Sequence, residues 1–161
     1  MARSFAIQSI DLAMTRYTGV PSPVPLVAAD SWGSLDLQVV PGRARKGQAE
    51  AGDLGTVRER ANLGQALTLR LLTQLGALEP LGHPDYGCRL VTLIGRTSDE
   101  TTRHLARLYV IEAVRQEPRV KKLTALSVEC MPGHSEVLDI SLTVEPLADG
   151  DPLTLALELA L

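Results

Sequence analysis

Gln116-Glu117-Pro118-Arg119-Val120 lies where one repeat stops and another begins. Upstream, Ala106, Tyr109, Val110, Ala113 and Val114 follow the i, i+3, i+4, i+7, i+8 spacing of a helix with a core-facing stripe, and Leu105, Leu108 and Ile111 widen it. Downstream, apolar and polar residues alternate with the two-residue period of a strand. Proline disfavours helical geometry in the residue before it, so the helix is predicted to stop at about Gln116 and Glu117 to be extended. Glu117 and Arg119, two apart in an extended segment, then point to one side and can pair with each other or meet a partner together. The carboxylate also stands at the negative end of the helix dipole, where a cation would relieve it. On these residues alone, a solvated ion pair worth at most about 1 kcal/mol is the simpler reading.

Working back from this corner, Thr97 and Glu100 stand at capping-box spacing, with Asp99 in the first turn. An earlier helix is predicted over 57–75 from Leu63, Leu67 and Leu71, with Leu69 and Leu72 broadening the stripe and Gly76 ending it. Between the helices, residues 78–87 are rich in proline and glycine and read as an ordered connector. Within it, Pro84-Asp85-Tyr86-Gly87 has a turn chemistry. Proline presets the first turn position, Asp bonds backbone amides, Gly takes a left-handed conformation and Tyr86 anchors the loop on the core.

Forward from the corner, three strands are expected. Leu126, Val128 and Cys130 alternate with Ser127 and Glu129, and Pro132-Gly133-His134-Ser135 is the turn. Leu138, Ile140, Leu142 and Val144 then share one face, opposite Asp139, Ser141 and Thr143. After Asp149-Gly150-Asp151-Pro152, the residues Leu153, Leu155, Leu157, Leu159 and Leu161 alternate with Thr154, Ala156, Glu158 and Ala160. So apolar a final strand would leave an edge that invites aggregation unless something covers it. Either another strand of the same domain closes it, with residues 34–40 as the candidate, or a strand is added from another protein. The fold class is therefore α+β: two main helices followed by a three-stranded antiparallel meander, with an N-terminal extension.

The extension, residues 1–56, is an arm and a glycine-rich loop ahead of an α+β domain at 57–161. Phe5, Ile7, Ile10 and Leu12 make too short a pattern to choose between helix and strand. Pro21, Pro23 and Pro25 make a stiff extended segment. Leu35, Leu37 and Val39 alternate as a short strand, and residues 42–55, with Arg43, Arg45 and Lys46, lack any apolar period and read as a mobile loop whose charges are solvated.

A chain of 161 residues with 45% apolar content can bury a sizeable single core. A net charge of -3 gives no global attraction for nucleic acid, and 3% aromatic residues leave few stacking platforms. No apolar run approaches the roughly 20 residues of a membrane helix, so no membrane insertion is expected. Two cysteines and no continuous apolar leader point to synthesis in a reducing cytoplasm. Asp85, Asp99, Glu112 and Glu117 fall on separate loops and helix faces and suggest no acid/base pair. Cys88 near His83, and Ser135 beside His134, sit in no recognisable nucleophile turn. His83, Cys88, Cys130 and His134 match no common zinc spacing. Neither catalysis, a metal nor a cofactor is expected.

The order of these parts, with Pro84-Asp85-Tyr86-Gly87 and then Glu117-Pro118-Arg119 between the second helix and the meander, resembles the small baseplate-wedge or sheath-initiator family. That family belongs to contractile phage tails, type VI secretion and contractile injection systems, and the resemblance covers about residues 57–161. It implies a structural role, linking larger baseplate wedge proteins to the sheath protein, with the inner tube or hub as a further contact. The particle would be a phage virion or an injection particle, assembled in the cytoplasm. Partner contacts would be made by Glu117, Pro118 and Arg119, by Pro84, Asp85, Tyr86 and Gly87, and by the final strand through Leu153, Leu155, Leu157 and Leu159. Some relatives carry a tail-lysozyme label, so peptidoglycan hydrolysis is the enzymatic alternative, and an adaptor of another complex a third.

Overall fold

The structure, a computed structural model, describes residues 11–12, 14–16, 28–29, 35–37, 39–41, 52–147 and 151–161. Seven short strands come first: β1 (Asp11–Leu12), β2 (Met14–Arg16), β3 (Ala28–Ala29), β4 (Leu35–Leu37), β5 (Val39–Pro41), β6 (Gly52–Leu54) and β7 (Thr56–Val57). They are followed by α1 (Glu59–Leu72), α2 (Glu100–Arg115), β8 (Val120–Met131), β9 (His134–Pro146) and β10 (Leu153–Ala160), with 3-10 turns at Glu79–Leu81 and Leu90–Leu93 between the helices. The two helices and the antiparallel meander are those expected from the hydrophobic periods.

Leu63, Leu67 and Leu71 are buried, one turn apart along α1. The helix stops earlier than the expected Gly76. Thr73 turns extended, its N–H and Oγ1 both bonding to the Leu69 carbonyl at 2.9 and 2.7 Å. A side chain thus takes up an end carbonyl, and Gly76, at φ +82°, serves the following turn instead. In α2 the cap is Asp99 rather than the Thr97–Glu100 pair: its carboxylate accepts from the Thr102 N–H at 2.7 Å. The helix ends at Arg115 with Gln116 as its cap, where the proline rule put it.

The sheet has the order β3-β10-β9-β8. The helices cover one face, where Leu67, Leu71, Val110 and Val114 meet Leu138, Ile140, Leu142 and Val144 of β9, all of them fully buried. β8 begins directly after the corner, well before the alternation at Leu126. Register shifts between Val120 and Lys122 and between Leu123 and Ala125 break the two-residue period over this stretch, which is why it does not read as strand in the sequence. The β8–β9 turn is tight, with Met131 opposite His134 and Gly133 at φ +84°.

The edge of β10 is met by another strand of the same chain, as expected, but that strand is β3 and not residues 34–40. Ala28 and Ala29 pair with it in parallel, at Ala156 and Leu157. Leu35–Leu37 and Val39–Pro41 are engaged elsewhere: β4 pairs with β2 and β5 with β6. Part of the expected glycine loop is therefore strand, at Gly52–Leu54, because its partner rather than any apolar period of its own supplies the pairing. The remainder of that loop, with Arg43, Arg45 and Lys46, and the prolines at 21, 23 and 25 lie outside the described residues. Among the described residues no helix is long and apolar enough to cross a membrane.

Candidate functional site

The two motifs singled out in the sequence converge on one residue of α1. Gly87, at φ +117°, lies so close to the end of that helix that an added Cβ would stand 2.7 Å from the Gln74 carbonyl oxygen. The approach is held by backbone bonds: Cys88 N–H to Thr73 O at 2.8 Å, Leu75 N–H to Cys88 O at 3.0 Å, and Gly76 N–H to Tyr86 O at 3.3 Å. The loop is stitched to the chain leaving α1. Tyr86 is thereby placed with its ring 4.4 Å from the Arg70 guanidinium carbon, a cation–π contact.

Arg70, in the last turn of α1, reaches Glu117 with Nη2 3.5 Å from Oε2. The other oxygen, Oε1, accepts from Arg119 Nε at 2.7 Å, and Arg119 Nη1 donates to Asn62 Oδ1 at 2.6 Å. Tyr86, Arg70, Glu117, Arg119 and Asn62 thus form one chain of contacts linking the connector, the first and last turns of α1 and the corner after α2. The geometry answers the dipole argument. The carboxylate at the negative end of α2 is met by two cations of its own chain, so this is not a solvated pair: Glu117 is 6% exposed and Arg119 27%. Arg70 Nε is buried and has no hydrogen-bond partner among the described residues.

Of the expected contact residues, Pro84, Asp85 and Pro118 are exposed, Tyr86 and Arg119 half-buried, and Glu117 and Gly87 buried. The leucines of β10 stand apart from this network. Leu155, Leu157 and Leu159 are buried against the helices and Leu153 is half-buried, so their side chains belong to the core and only the backbone edge of β10 can meet another strand. Asn62 and Arg70 were not legible as site residues. Their signal is a second four-residue series, Asn62, Ala66 and Arg70, one position before the leucine series of α1.

The other candidates are placed separately. Cys88 is buried and its Sγ lies 3.4 Å from the Tyr109 carbonyl; burial pushes its thiol pKa up. Cys130 lies 2.7 Å from Ser98 Oγ. Asp99 is held below the usual carboxylate range, chiefly by the Thr102 backbone N–H that it caps. Glu112 lies 3.9 Å from Arg89.

These features define an α+β protein with two helices laid on one face of an antiparallel meander and a buried arginine–glutamate network at the joint. No protein-family model matches the chain, and no curated protein matches it. Among solved structures, it is similar in fold to a protein from Geobacter sulfurreducens provisionally described as a tail lysozyme. The TM-score is 0.53 at 22% identity, over 62% of this chain and 88% of that one.

Proposed function

We propose that the protein is a structural component of a contractile tail or injection particle, joining inner baseplate proteins to the sheath. The observation that carries the reading is the joining of two exposed turns by one buried network: Pro84-Asp85 and Pro118 are held in fixed relation through Tyr86, Arg70 and Glu117. A support whose central Arg70–Glu117 pair is buried beneath surface turns suits a docking surface that must keep its geometry under load. The fold shared with a tail-associated protein supports the same assignment. The edge of β10, paired by β3 at two positions among the described residues, leaves backbone for a sheath strand.

The description of the neighbour favours a second reading, peptidoglycan hydrolysis. Against it, such chemistry needs two carboxylates facing across a cleft. Here Glu117 is held by two arginines, Asp99 caps α2 and Glu112 stands beside Arg89.

Electron microscopy of particles from cells carrying Asp85→Arg with Pro118→Asp tests the structural role. Both positions are exposed, so circular dichroism of the purified variant should match wild type while sheathed particles are lost. Normal particles would sink the reading. Clearing of a peptidoglycan suspension by the purified protein would favour the hydrolase instead.

A further inference from the structure

We propose that the outer edge of β8 is a self-association surface, whose partner is the same strand of a second copy of this chain in antiparallel orientation. β8 ends the sheet, and no described strand pairs with its outer side. A strand of 12 residues without a neighbour on one side is a template for strand addition, in which the Arg107 guanidinium on the Val128 carbonyl must give way to the incoming strand.

The charges along the strand select the partner. Lys121 and Lys122 stand at its start and Glu129 near its end. Lys121 is taken up by Glu145 of β9, so the exposed Lys122 carries the positive end. At the other end, Glu129 lies opposite Asp139, and Asp139 opposite Glu158, which sets three carboxylates abreast on the face away from the helices. Like charges directly opposite one another repel, and a cation from outside relieves them. Lys122, opposite Glu145, lies on that same face. An antiparallel neighbour brings its own start to this acidic end and its own end to the lysine. The strand that fits has a basic start and an acidic end, as β8 itself does. A two-fold axis then makes the contact twice.

An apolar surface accompanies the edge. Arg107 Nη2 bonds the Val128 carbonyl at 3.2 Å and Arg103 Nη1 lies 4.0 Å from Cys130 Sγ, so this side of α2 overhangs β8. Ile111 follows Arg107 by four residues, which places it on that side, where it is half-buried. The two-fold axis sets two α2 helices together on one face of the joined sheet, and each Ile111 gains cover from the other copy. This surface is independent of the proposed docking turns and of the β10 edge.

Sedimentation velocity over a concentration series tests the inference, using the purified chain, Lys122→Glu, Glu129→Lys and the two combined. Wild type should dimerise reversibly. Each single reversal should weaken the dimer roughly tenfold, since a cross-strand charge contact is lost twice, and the combined reversal should restore it. Ile111→Lys, on a half-buried helix position beside β8, should also weaken it and serves if a strand variant does not fold by circular dichroism. A chain monomeric at every concentration overturns the proposal. So does a dimer that ignores both the charge reversals and Ile111→Lys, because its interface then lies elsewhere.

Discussion

Glu117 and Arg119 are partners of opposite charge and unequal burial, and burial decides what the removal of each does. Glu117 is the counter-charge of Arg70, whose side chain is 11% exposed, so Glu117→Ala strands a buried guanidinium. A loss of about 3 kcal/mol is expected, read as a lower urea midpoint at unchanged slope. Arg119→Ala removes a partly solvated partner and should cost only about 1 kcal/mol. Equal losses would mean that burial of the pair does not govern its energetics. Gly87→Ala should be among the most damaging single-methyl changes, because the Cβ meets Gln74 backbone at 2.7 Å in a conformation that side chains rarely adopt. An expected fall in thermal midpoint of more than about 5 °C reads it. The sequence marked Glu117, Arg119 and Gly87 because proline and glycine rules are local. Arg70 escaped because an arginine inside an apolar helix looks like its solvent face until the tertiary fold brings Glu117 and Tyr86 to it.

Among the elements, the helices were legible from their stripes, whereas their ends were settled by single side chains. Thr73 stops α1 by bonding back to Leu69, and Asp99 rather than Thr97 caps α2, two choices between neighbouring polar residues that spacing alone does not resolve. The Asp99 cap has a pH signature. Its pKa is lowered in the folded chain from 3.8, so the charged form is the one that folding favours. Its contribution is therefore present in full above the unfolded value and is lost as pH falls from about 4 down through the folded value. Asp99→Asn keeps a capping acceptor without the charge and should flatten this part of the stability–pH curve, measured by thermal melts between pH 2 and pH 6 on the scale of ordinary carboxylates. An unchanged acid limb would mean that other carboxylates set it. The start of β8 shows the opposite limit of sequence reading. Its register shifts hide a strand that the partner β9 nevertheless specifies, through Leu123 opposite Val144 and Leu126 opposite Leu142.

For the molecule as a whole, the order of the strands fixes where stability is concentrated. β9 is central: it pairs with β8 over its length on one side and with eight residues of β10 on the other, and its Leu138, Ile140, Leu142 and Val144 lie beneath both helices. Opening its amides therefore requires losing two ladders and the core together, whereas among the described residues the outer side of β10 is paired only at Ala156 and Leu157. Native-state hydrogen exchange should place the β9 amides at the free energy of global unfolding, with outward-facing amides of β10 exchanging through cheaper local openings. Adding a strand to β10 would raise the protection of those outward amides and leave β9 unchanged, so the same experiment detects a bound sheath segment on that edge. If β10 were already as protected as β9 in the isolated chain, β3 would be sealing the edge more fully than its two pairs suggest, and the open template required for strand addition would be missing.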